Sequence, residues 1–74
     1  HVLIIPKAHT ENIITAEPEL LLYMFGKVKE LAEKLGVNEK GFRIVANTGD
    51  DGGQTVKHLH IHLLGGKALG WPPC

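Results

Sequence analysis

Leu21, Met24, Phe25, Val28, Leu31, Ala32 and Leu35 recur at intervals of three and four residues. That spacing gathers them on one stripe of an α-helix. Thr15 stands where an N-cap is expected, and Pro18 suits the first turn. Glu17 and Glu19 put negative charge at the positive end of the helix dipole. Gly36 follows the stripe, where a left-handed C-cap belongs. The pattern predicts a helix over about 16–35.

Elsewhere the rhythm shortens. Residues 2–5 are an apolar, β-branched run closed by Pro6, which reads as a short strand followed by a turn over 6–10. Residues 42–47 read as a second strand, with Phe42, Ile44 and Ala46 toward the core and Arg43, Val45 and Asn47 on the other side. A glycine-rich turn spans 49–55. A third strand over about 56–64 alternates strictly: His58, His60 and His62 take one face, Leu59, Ile61 and Leu63 the other. Gly65 and Gly66 end it, and the proline-containing stretch after Ala68 reads as an irregular tail. The order is β-α-β-β, an α+β fold in a single domain over 1–74. The late strands form a hairpin whose long loop closes one end of the histidine face, with Asn47 beside the imidazoles.

With 74 residues the chain can bury only a modest core, so a partner subunit would help it. It opens at His1 inside a strand already under way, which implies that sequence precedes it. Cys74 is the single cysteine, which excludes an intrachain disulfide and points to a reducing, cytoplasmic setting. No apolar run approaches a membrane span, so no membrane partner is expected. Eight basic and eight acidic residues cancel, which argues against a general nucleic-acid surface but not against a local phosphate site.

The chemistry concentrates in the histidines, whose side chain suits proton transfer, nucleophilic attack and metal binding near neutral pH. A polar strand face is the plain alternative for a lone histidine; three in alternation beside a glycine loop point to function. Three imidazoles can hold zinc, but residues i and i+4 of a strand lie about 13 Å apart. Zinc–nitrogen bonds of about 2 Å do not readily gather three rings from one straight strand. A neutral imidazole can instead attack phosphorus and form a phosphohistidine, provided that a hydrogen bond fixes its tautomer and that donors surround the phosphate. The 52–55 loop offers backbone N–H groups, and Gln54 and Thr55 add side-chain donors. His9 reads as a loop histidine, Arg43 and Lys57 as solvated, Trp71 as an interface aromatic and Cys74 as exposed.

The run from His58 to Leu64 resembles the motif that names the histidine triad (HIT) superfamily of nucleotide-binding hydrolases and transferases. Arg43 to Gly49, Asp51 to Gly66, the opening Leu3 to His9 and the closing Trp71-Pro72-Pro73 resemble its Hint branch. His62 stands where uridylyltransferase relatives carry glutamine. Dinucleoside-polyphosphate hydrolases of the Fhit type usually lack the Gly-Gly and Trp-Pro-Pro endings.

The resemblance implies that His60 is the nucleophile, that His62 contacts the phosphate, and that His58 helps to orient the nucleophilic ring. It makes His1 a supporting fourth histidine. Asn47, Gly53, Gln54 and Thr55 match phosphate- and ribose-side positions, with Thr55 near the leaving group in place of the branch's usual serine. The implied reaction is hydrolysis of purine nucleoside phosphoramidates, such as AMP or GMP joined to an amine. No metal is required. The implied assembly is a homodimer whose two five-stranded sheets join into a ten-stranded one. The alternatives are a dinucleoside-polyphosphate hydrolase of the Fhit type and a non-catalytic nucleotide- or protein-binding module. The family's helix and hairpin ahead of His1, which supply much of the base and ribose pocket, are not in this sequence.

Overall fold

The computed structural model describes residues 1–70, and the expectations for Trp71, Pro72, Pro73 and Cys74 lie outside the described residues. Four elements follow one another: β1 (Val2–Ile4), α1 (Pro18–Lys34), β2 (Phe42–Val45) and β3 (Ile61–Gly65). The sheet is antiparallel in the order β1-β3-β2, so the histidine-bearing strand is central. The α+β reading and the β-α-β-β order both hold.

Register explains which face is which. Ile4 pairs with Ile61, and both Val2 and Ile44 oppose Leu63. Leu3 and Val45 flank His62. Paired residues share a face, so one side is aliphatic and the other carries the imidazoles. The aliphatic side packs against α1: Ile4, Met24, Val28, Leu59 and Ile61 form a buried cluster, joined by the partly buried Leu20, Leu21, Leu31, Ile44 and Ala46.

Three local expectations need correction. Thr15 does not cap α1. Glu17 holds the N-cap position without a side-chain bond, and Pro18 opens the first turn. The Thr15 hydroxyl instead accepts N–H bonds from Glu11 and Asn12, and the buried Asn12 caps its own turn by accepting from Ile14 and Thr15. A hydroxyl that satisfies donors upstream has no reach to spare for the helix downstream. Second, the paired part of the histidine segment begins at Ile61 rather than near 56. Its neighbour β1 stops at Ile4, and Pro6 has no N–H to continue the ladder. Alternation persists without pairing: Leu59 is buried while His58 and His60 are half-buried. Third, β2 ends at Val45, and Phe42, expected in the core, is 41% exposed. Phe25 and Leu35 of the helical stripe are also exposed, because a three-stranded sheet covers only part of that stripe.

At the far end of β3 a glycine is needed for space. A Cβ on Gly65 would lie 3.0 Å from Val37 Cγ1, a contact that only a shift of Val37 could relieve.

Candidate active site

The histidine platform resolves into two groups. His60, His62 and His1 form a row: the His60 and His62 ring centroids lie 5.1 Å apart, edge to face, and His62 and His1 are again 5.1 Å apart. His1 Nε2 and His62 Nδ1 share a hydrogen bond of 2.9 Å. The His58 ring makes its contacts with the 6–10 turn instead. Its Nε2 donates to the Pro6 carbonyl over 3.1 Å, and the His9 ring meets it edge-on at 5.5 Å.

The bond that matters most is made by His60. Its Nδ1 lies 2.8 Å from the carbonyl oxygen of His58. A carbonyl can only accept, so Nδ1 carries the proton. In a neutral ring the lone pair then sits on Nε2, the nitrogen free to react. His58 was expected to orient this ring; its backbone oxygen makes the contact. A carbonyl acceptor has no sequence signature, so only the placement of residue 58 two before residue 60 could have hinted at it.

The glycine loop is built chiefly by Gln54. This side chain is 7% exposed. Its Oε1 accepts from Gly49 N–H, and its Nε2 donates to the carbonyls of Glu11 and Val56. Gly53 N–H and Gln54 N–H are bonded within the loop to the carbonyls of Asp50 and Gly49. The expected use of Gln54 as a side-chain donor to phosphate therefore meets a side chain already committed to loop backbone. Asn47, two residues past the end of β2, clamps the same loop, its Nδ2 donating to the Gly52 carbonyl over 2.6 Å. Gly53 adopts φ +74°, a left-handed conformation suited to glycine, and faces Asn47. Thr55 is exposed, and its hydroxyl has no partner among the described residues.

Along the imidazole row His1 is exposed, and His60 and His62 are half-buried. A concavity of about 500 Å³ exists at the other end of β3, bounded by Val37, Lys40 and Lys67 among others, and no histidine lines it. Among the described residues no three His, Cys, Asp or Glu side chains are grouped to hold a metal ion. No helix of the described residues is long and apolar enough to cross a membrane.

A family model described as "HIT domain" matches residues 1–69. An uncharacterised HIT-like protein of Synechococcus elongatus is 53% identical over 76 residues, covering 99% of this chain and 66% of that protein. An uncharacterised HIT-like protein of Chlamydia trachomatis is 52% identical over 73 residues, covering 95% of this chain and 65% of its own length. The chain thus spans slightly less than two thirds of these relatives. Among solved structures, a HIT family hydrolase from Legionella pneumophila superposes with a TM-score of 0.91 at 44% identity, over 97% of this chain and 67% of that one. A histidine triad protein from Clostridium difficile gives 0.86 at 37% identity, over 92% and 62%. With the family model matching almost its whole length and relatives above half identity, this chain belongs to the HIT domain family.

Proposed function

We propose that the chain carries the catalytic platform of a Hint-type hydrolase that cleaves purine nucleoside 5′-phosphoramidates at the P–N bond. The supporting observation is the His60 Nδ1–H bond to the His58 carbonyl, which leaves Nε2 with its lone pair. In the first step His60 Nε2 attacks phosphorus, the P–N bond breaks, and the amine departs with a proton supplied by solvent. The intermediate is a nucleotidyl-imidazolium, whose positive ring is a good leaving group. In the second step water attacks phosphorus, the N–P bond breaks, one water proton is released, and AMP leaves with the ring neutral again.

The other residues take supporting parts. His1 Nε2 and His62 Nδ1 share a hydrogen bond; we assign the donor's part to His1, which puts the His62 proton on Nε2, where it can donate to a phosphate oxygen. Thr55, whose hydroxyl has no partner among the described residues, is assigned to pass a proton to the departing nitrogen. Asn47 and Gly53 shape the phosphate side of the loop, and Gln54 holds that loop in place. The reading uses no metal, so a chelator should leave turnover unchanged. We assign the protein to the cytoplasm as a homodimer. Supporting a second copy, Leu22 is 76% exposed, Tyr23 63% and Phe25 52% on one helix.

The test is incubation with an AMP–amine conjugate. Release of AMP and amine in equal amounts by the wild-type protein, and none by His60→Ala, is the expected result. Equal turnover by both proteins refutes the mechanism.

A further inference from the structure

The carbonyl that fixes the His60 tautomer belongs to the peptide unit joining His58 to Leu59. The N–H of that same unit donates to the Thr10 carbonyl over 2.8 Å. A trans peptide is planar, with its N–H and C=O pointing in opposite directions. Holding the Leu59 N–H therefore aims the His58 carbonyl at His60 Nδ1. The two hydrogen bonds lie in series through one peptide, so each polarises the other.

The same stretch of chain grips residue 58 twice more. The Pro6 carbonyl accepts from His58 Nε2–H. The His9 ring stands edge-on against the His58 ring, with an interplanar angle of 66°. His9 is exposed, and this ring contact is its one interaction among the described residues. Residues 6–10 thus hold the 58–59 peptide at its N–H and at the side chain next to its carbonyl.

We infer that the 6–10 turn is a clamp that sets the tautomer of His60, and that His9 is a positioning residue within it. His9 touches no reacting group; it acts by restraining the His58 ring, and through it the peptide whose carbonyl keeps the proton on His60 Nδ1. An edge-on ring pair of this kind shifts an equilibrium by roughly threefold to tenfold. The kinetic consequence rests on His60 being the nucleophile, as proposed above. The tautomer consequence does not.

The test compares the full chain with its His9→Ala and His9→Phe variants. Imidazole nitrogen shifts are read by NMR in mildly alkaline solution, where the neutral ring reports its tautomer directly. His9→Ala should raise the Nε2–H fraction of His60 about threefold or more, and His9→Phe, which keeps the edge contact, should restore the wild-type pattern. On a phosphoramidate substrate, His9→Ala should lower kcat by a similar factor and leave KM unchanged. An unaltered His60 tautomer in His9→Ala overturns the clamp, as does failure of His9→Phe to restore it. Absence of turnover in the wild-type protein would count against the proposed activity alone, because the tautomer measurement stands without substrate.

Discussion

At the scale of single residues the three alternating histidines are unequal. His60 Nε2 keeps the lone pair because its other nitrogen is tied to a carbonyl, and this is why the nucleophile's role is proposed for it. Replacing His60 with Ala should lower kcat at least ~10⁴-fold while the melting temperature hardly moves, since the ring is only half-buried. His1 supports His62 through one hydrogen bond. His1→Ala should therefore cost much less, about tenfold in kcat, as measured by steady-state kinetics. The alternation itself was legible from the sequence, because a period of two assigns faces without further information. The backbone acceptors at residues 6, 10 and 58 were not legible, since every residue has a carbonyl. His9 looked like an ordinary loop histidine for the same reason: its neighbour lies almost fifty positions away in sequence.

The glycine loop and the segment that follows it are the elements that decide whether the site forms. Gln54 satisfies one backbone N–H and two carbonyls from inside the protein. Gln54→Ala would leave these groups without their partner, and should lower stability by about 2 kcal/mol in a denaturant titration. Gly52 has the Thr48 backbone directly where a Cβ would stand. Gly52→Ala must therefore displace the loop, which should weaken nucleotide binding in calorimetry more than it lowers the melting temperature. On the core side, Leu59 is 2% exposed against α1. Leu59→Ala should cost about 2–5 kcal/mol. Glycine clustering showed from the sequence that a turn lay here, but the inward direction of Gln54 depends on where Glu11 and Val56 end up. The helix was read to within two residues at its start and one at its end, because periodicity and Gly36 mark its body and its exit. Its entry was misplaced because Thr15 is a favoured cap residue and Glu17 is not, and only the turn built on Asn12 engages the Thr15 hydroxyl elsewhere.

For the whole molecule, the sheet order puts the histidine-bearing strand between two others, so its rings stand on a supported platform. The same order leaves Leu3 and Ile5 exposed along β1 and just after it, and Tyr23 and Phe25 on α1. A homodimer should appear as twice the chain mass in sedimentation at micromolar concentration, and substitution of Phe25 by a charged residue should shift it toward the monomer. In the proposed mechanism His60 forms a covalent bond to the phosphorus of the nucleotide. This bond is tested most directly by acid-free mass spectrometry of the protein quenched during turnover of an AMP–amine conjugate. One added adenylyl group is expected, located on His60 and absent from His60→Ala. Steady turnover by His60→Ala, or an adduct on any other residue, would contradict the mechanism.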